Sequence, residues 1–265
     1  MEILKEKFPN GMGKTMCEYN PEKYLQSQTD RENEQEGNLK GIDCRKCKNR
    51  GHISAVKGNE VVWQMCDCMS ARKSLAQIER SGLKSLLDEY TFENYEATED
   101  WQKHALSMAQ NYVEYGADKW LFFGGQSGAG KTMLCTAVSG ELLKRNNVVK
   151  YMMWDSESKT LKSLVNETYE YEKRIDELKS VKVLYIDDFL KVQRGQQPTP
   201  ADINLAFEIL NYRYVNKLRT ILSSERTVDD ILSLDDALGG RIYEMSKGYQ
   251  MNIARDKNKN FRLRK

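Results

Sequence analysis

The chain has 265 residues, room for one large domain or for a large and a small one. Hydrophobic residues at 40% can build a core and charged residues at 30% make a wet surface, while a formal net charge of +2 excludes a global polycation, so any basic footprint must be local. No run reaches the roughly 18–20 apolar residues of a membrane span, and the charged start MEILKEKFPN lacks the apolar centre of a signal peptide. Together these features point to the cytoplasm and away from membranes.

Residues 1–40 are polar, carry the acidic and amide-rich run TDRENEQEGN near their end, and read as a partly helical or flexible arm. Gly11-Met12-Gly13-Lys14-Thr15 contains a GKT, but the glycine that should open a phosphate loop falls on Phe8 and no apolar strand precedes it. It is therefore set aside. Residues 41–70 hold Cys44-x-x-Cys47 and Cys66-x-Cys68 around a turn-rich segment with Gly51, His52 and Gly58. Two close thiol pairs flanking a small hairpin have the shape of a zinc ribbon, in which four thiolates satisfy a tetrahedral Zn²⁺. The single residue between Cys66 and Cys68 departs from the commonest spacing. His52 is an alternative ligand, although a site of four cysteines is simpler. Filled in this way the zinc would be structural, and metal binding would supply most of the stability of a module too small to own a core. In a reducing compartment the remaining cysteines, Cys17 and Cys135, read as ordinary residues.

Residues 71–118 read as a helical linker and the start of a core, and residues 119–265 as the core itself. Apolar strands are expected at 120–123, 148–154, 181–186, 219–224 and 248–253, alternating with helices from about 130, over 158–178 and over 199–217. The third strand is almost wholly apolar, as befits a central parallel strand covered on both faces. Thr227-Val228-Asp229-Asp230 has the pattern of a helix cap. The alternation predicts an α/β fold with a parallel sheet flanked by helices. The end of the chain, from Arg255 to Lys265, is a local basic cluster or simply a solvated terminus.

Gly125-Gln126-Ser127-Gly128-Ala129-Gly130-Lys131-Thr132 fits G-x-x-x-x-G-K-[ST] without mismatch, between an apolar strand and a helix. Its glycines let backbone N–H groups turn inward around phosphate oxygens at the positive end of the new helix. Lys131 would reach the β- and γ-phosphates of ATP, and the Thr132 hydroxyl would ligate Mg²⁺. Val183-Leu184-Tyr185-Ile186-Asp187-Asp188, an apolar strand ending in two acids, has the form of a Walker B element. Asp187 would hold the magnesium shell and Asp188 would orient or deprotonate the attacking water.

With these parts in order, the chain from about residue 41 to its end resembles the phage and mobile-element branch of the DnaC/DnaI helicase-loader family of AAA+ ATPases. The resemblance is carried by the cysteine module, SGL…YTFENYE, GGQSGAGKT, VLYIDDF, TILSSER and LGGRIYE. It implies that Thr220 to Glu225 is the strand bearing the sensor 1 residue, either Ser224 or Glu225, where family members often have Asn or Asp. It also implies that Arg241 is an arginine finger reaching a neighbouring subunit's γ-phosphate, and hence that the chain self-associates when ATP is bound. The family's function would make this an AAA+ ATPase, slow on its own, that loads a hexameric replicative DNA helicase onto single-stranded DNA, with helicase docking through residues 1–70. An IstB-like transposition ATPase and a nucleotide-switched binding protein with little hydrolysis are the competing readings. Tyr212-Arg213-Tyr214 could stack on bases, but the packed face of a helix is the better reading of that triplet.

Overall fold

The computed structural model describes residues 20–78, 84–193 and 195–263. The discarded Gly11–Thr15 motif, Cys17, Ser81, Arg264, Lys265 and the first half of the expected arm lie outside those residues. Among the described residues no helix is long and apolar enough to cross a membrane.

Helix α1, Pro21–Glu34, starts where Asn20 accepts the amides of Glu22 and Lys23 and a proline occupies the first turn. It lies on a hairpin of β1, His52–Lys57, and β2, Glu60–Met65, turned through Gly58 at φ 63°. Asn33 joins the two, donating to the Ser54 carbonyl at 2.8 Å while its Oδ1 accepts the Ser54 amide at 3.0 Å. The amide side chain thereby copies one rung of a strand ladder. Helices α2, Cys68–Ile78, and α3, Lys84–Glu89, lead to α4, Asp100–Tyr115, which flanks the core.

The core sheet comprises β3 Trp120–Gly125, β4 Val149–Met153, β5 Val183–Asp187, β6 Arg219–Ser223 and β7 Gln250–Ile253. Its order is β4-β5-β6-β3-β7 and every neighbouring pair is parallel. Alternate strand residues face opposite layers. Trp120, Phe122, Leu184, Ile186 and Leu222 pack beneath α6 Trp154–Ser163, α7 Thr168–Ser180, α8 Pro200–Val215, α9 Val228–Leu234 and α10 Asp236–Met245. Leu121, Phe123, Val183, Tyr185 and Ile221 pack against α4 and α5, Lys131–Lys144. The fold is the expected α/β core, a parallel sheet flanked by helices, with a small four-cysteine module before it. Because β6 lies between β3 and β5, the carboxyl ends of three strands sit side by side, which is where ligands bind in open α/β sheets.

Two local expectations are revised. The helix expected over 158–178 is two helices, because the Leu164 amide turns back to the Thr160 and Leu161 carbonyls and the Glu167 amide to Leu164, closing one helix before the next starts. The preceding strand stops at Met153, since Trp154 opens α6 and stands edge-on to Phe189 in the core, 5.1 Å between ring centres. The expected cap at 227–230 is present: Thr227 Oγ1 accepts the Asp230 amide at 3.1 Å and starts α9.

Candidate nucleotide site and cysteine cluster

The phosphate loop grows out of β3 with Gly125, Gly128 and Gly130 at φ 98°, 75° and 82°. A Cβ at Gly125 would stand 2.1 Å from the Ile253 carbonyl oxygen, and one at Gly128 would stand 2.0 Å from Asn260 Oδ1. At Gly125 both the backbone conformation and a fixed carbonyl exclude a side chain, while at Gly128 the positive φ disfavours one and the Asn260 side chain would have to move. Gly130 caps α5, so the free amides of that helix open onto the loop. Lys131 turns its ammonium back to the Gly125 carbonyl at 2.9 Å and to that of Gln126. Burial holds its pKa below the ordinary lysine range against the opposing pull of Glu225 and Asp188.

Asp187 closes β5 opposite the loop. Thr132 Oγ1 donates to its Oδ1 at 3.0 Å, Ser223 donates to the same oxygen, and the Tyr151 hydroxyl reaches Oδ2 at 3.3 Å. The pairing of Thr132 with Asp187 brings together the two residues expected at the magnesium. Asp188 has φ 54°, strained for a non-glycine residue, and its amide donates to Ser223 Oγ at 3.1 Å. Its carboxylate meets Lys191 at 2.7 Å, and Lys191 also faces Glu225 at 3.4 Å. Lys131, Thr132, Asp187, Asp188, Lys191 and Glu225 border one cavity of about 450 Å³, a volume within the ordinary range of small-molecule sites.

The cavity is also lined by Leu86, Tyr90, Tyr95, Met133, Phe261 and Arg262. None of these carried a site role in the sequence reading. The YTFENYE segment was informative only as part of a resemblance, and the C-terminal end read as a basic terminus. In the structure that end folds over the loop: the Phe261 amide donates to the Gly128 carbonyl at 2.9 Å and Lys259 lies over the Trp101 ring. Tyr95 is 6% exposed, lies against Gly130, and its hydroxyl finds no hydrogen-bond partner among the described residues. A buried hydroxyl left in this state is a group that a bound ligand would satisfy. The glycine cradle and this hydroxyl both fit a nucleotide.

The other expected residues separate. Ser224 is buried, and its hydroxyl donates to the Phe189 carbonyl at 2.7 Å while accepting the Arg226 amide at 3.1 Å. Glu225 lines the cavity and Ser224 does not. Ser223, not singled out beforehand, is the hydroxyl that touches both acids. Arg241 lies on α10 away from its own chain's cavity, bonded to Asn211 Oδ1 at 3.0 Å and the Ala237 carbonyl at 2.8 Å, over the rings of Phe207 and Tyr214. Arg213 is wholly buried and donates to the carbonyls of Leu178, Lys179, Val181 and Arg219 and to Thr220 Oγ1. That side chain packs the fold and presents nothing to a base.

Cys44, Cys47, Cys66 and Cys68 are all buried, with their sulfurs within 4.8 Å of one another. Cys44 and Cys66 are 3.8 Å apart, and Cys47 and Cys68 are 3.6 Å apart. Sulfurs at 2.3 Å around a tetrahedral zinc stand about 3.8 Å apart, so the spacing fits that ion. Burial opposes ionisation of Cys47, but the Gly51 amide at 3.3 Å and the neighbouring sulfurs outweigh it and bring its pKa to about 7. His52 stacks on Trp63 with 5.1 Å between ring centres and is not part of the cluster. The module touches the core through Asn146, whose Nδ2 lies 3.9 Å from Cys44 Sγ.

Residues 86–248 match the family model of the bacterial DnaA ATPase domain. The chain belongs to that family. Within it, this DnaC-like AAA+ ATPase is 32% identical over 227 residues to the phage-like element PBSX protein XkdC of Bacillus subtilis, covering 82% of this chain and 85% of the relative. It is 29% identical over 177 residues to the replicative helicase loader DnaC of Escherichia coli K12, covering 66% and 69% of the two chains. Among solved structures, a replication initiator DnaA bound to AMPPCP and single-stranded DNA superposes with a TM-score of 0.52 at 26% identity, over 63% of this chain and 50% of that one. The crystal structure of a DnaC helicase loader gives 0.53 at 23% identity, over 63% and 95%, a likeness of fold. The ATPase thus belongs with replication proteins of the initiator and loader type.

Proposed function

We propose that this ATPase loads a replicative hexameric DNA helicase onto single-stranded DNA in the cytoplasm, using ATP binding and hydrolysis as a switch. The observation that carries the proposal is the meeting of Lys131, Thr132, Asp187 and Asp188 around one cavity, in a chain whose match to a helicase loader runs through 66% of its length.

In this reading the backbone amides of residues 125–132 and the Lys131 ammonium hold the β- and γ-phosphates, with Lys131 leaving its own loop carbonyls to do so. Thr132 and Asp187 would hold Mg²⁺, which neutralises charge on the phosphates. Ser223 keeps Asp187 in place and fixes the Asp188 backbone. Asp188 orients the attacking water and accepts its proton. Glu225, rather than Ser224, faces the terminal phosphate as the sensor. Arg241 of a neighbouring copy stabilises charge on the transferring phosphoryl group, so the site is completed only by self-association and turnover alone is slow.

The four cysteines hold a structural zinc. Residues 1–40 and the module at 41–70 dock the helicase, residues 71–118 link to the core, and residues 119–265 carry nucleotide and border the DNA path. The test is transfer of labelled cognate helicase onto single-stranded DNA circles in the presence of ATP. Loading by the wild type and none by Lys131→Ala is the expected result. Equal loading by both sinks the proposal.

A further inference from the structure

Glu225 is an acid in a cavity that has to receive a polyanion, and Lys191 is the cation set against it. The Lys191 ammonium lies 2.7 Å from Asp188 Oδ2 and 3.4 Å from Glu225 Oε1, and all three side chains border the nucleotide cavity together with Lys131. The turn that delivers Lys191 is built at a conformational cost. Asp188 and Leu190 adopt φ of 54° and 55°, where side chains are strained, and such strain persists only when its surroundings hold it. The Lys191 amide closes the turn on the Asp188 carbonyl at 2.9 Å, and the Ser223 hydroxyl and the Phe189 amide fix it to β6. Without that turn the lysine would not fold back over the acid three residues before it.

The charges at this end of the cavity show what Lys191 changes. Asp187, Asp188 and Glu225 face Lys131 and Lys191. Glu225 lines the same cavity as Lys131 and lies 3.4 Å from Lys191, so it borders the space that a phosphate held by Lys131 would enter. If Lys191 were neutral, an incoming terminal phosphate would meet Glu225 with Lys131 alone to offset it, and like charges at short range in a partly buried site repel strongly. Lys191 and Glu225 also border a second cavity of about 430 Å³ that contains Arg226 and Arg255. The pair is therefore a wall between two spaces, and its lysine can shift without unpacking the core.

We propose that Lys191 is a phosphate-positioning residue that selects nucleoside triphosphate over diphosphate. Its ammonium offsets Glu225 and Asp188, and turns from Glu225 to the terminal phosphate when that group enters. The inference rests on the nucleotide reading of the cavity given above.

The experiment is calorimetric binding of AMPPCP and of ADP, each with Mg²⁺, to the full chain and to Lys191→Met, Lys191→Arg, Glu225→Gln and the Lys191→Met/Glu225→Gln double variant. Lys191→Met should weaken AMPPCP about tenfold or more and ADP less than about threefold, because only the triphosphate places charge beside Glu225. Glu225→Gln in the Lys191→Met background should restore most of the loss, and Lys191→Arg should keep the discrimination. Equal losses for both nucleotides, or a double variant no better than Lys191→Met, would overturn the proposal. Loss of discrimination in Lys191→Arg would do the same, and that variant keeps the fold's charge if Lys191→Met proves unstable. A wild type that binds neither nucleotide, or a Lys131→Ala variant that binds as the wild type does, would instead overturn the nucleotide reading and this inference with it.

Discussion

Ser223→Ala removes a hydroxyl with two partners: it donates to Asp187 Oδ1 and accepts the Asp188 amide at 3.1 Å. Ser223 is 1% exposed, so water does not simply take its place. A hydrogen bond to a charged group contributes about 1.5–3 kcal/mol, and an orphaned buried donor costs about 1–3 kcal/mol. Asp187 keeps its contacts with Thr132 and Tyr151, which softens the first effect and brings the expected loss to about 2–4 kcal/mol. The functional effect follows from geometry. Ser223 ties the strand that carries the acids to its neighbour, so its removal loosens Asp188 more than the phosphate loop. Turnover should fall about tenfold or more while ATP affinity changes less than about threefold, since small misplacements of a reacting group are amplified in rate. Urea unfolding and steady-state hydrolysis measure the two effects separately. An unchanged urea midpoint with turnover within about twofold of wild type would refute the role given to this hydroxyl.

Other substitutions probe other parts of the account. Mass spectrometry of the native chain should find a single zinc, and Cys47→Ser should lose it and open the region around the hairpin to protease; a full zinc complement in the variant would contradict the four-thiolate site. Gly128→Ala places a Cβ against the Asn260 side chain at a φ of 75°, so Asn260 must swing aside and the loop backbone is strained, and nucleotide affinity should drop measurably by calorimetry. Arg213→Met removes the donor shared by four backbone carbonyls and the Thr220 hydroxyl in the core, leaving Thr220 only its bond to the Leu218 carbonyl, and should destabilise by about 3–5 kcal/mol in urea. Burial opposes ionisation of Glu225, yet Lys191 and Ser127 hold its pKa below the ordinary glutamate range. Its stabilising effect is therefore present above the unfolded pKa and lost as pH falls through the lower folded value. The stability gap between wild type and Lys191→Met should close over that acidic window, and a gap that persists below it would refute the pairing.

The parts legible in the sequence are those that local pattern dictates. The apolar run before Gly125 and the one before Asp187 had to be buried strands, and the glycine spacing between strand and helix carried its own chemistry. The cysteine pairs were legible because four soft ligands at short spacing have few other uses. What stayed hidden depends on contacts between distant segments. Ser223 and Ser224 look alike in the chain, and only the pairing of β5 with β6 turns one hydroxyl to Asp187 and the other to the Phe189 carbonyl. Lys191 matters because of a strained turn that no residue preference announces. The basic end of the chain gives no sign that Asn260 and Phe261 return to Gly128. The break between α6 and α7 was missed because both helices are charged and amphipathic, with no proline or glycine between them. Asn33, within a polar arm, becomes the rung that holds α1 to the hairpin.

The central claim is an ATP-switched partnership with a replicative helicase, and its most direct test is the mass of the complex. The chain and its cognate helicase are mixed with ATP, with ADP or without nucleotide, and light scattering follows size-exclusion chromatography, with Lys131→Ala run in parallel. The account predicts a complex with ATP that is lost or reduced with ADP and absent for Lys131→Ala. Absence of a complex under every nucleotide condition, or a complex indifferent both to nucleotide and to Lys131, would contradict it.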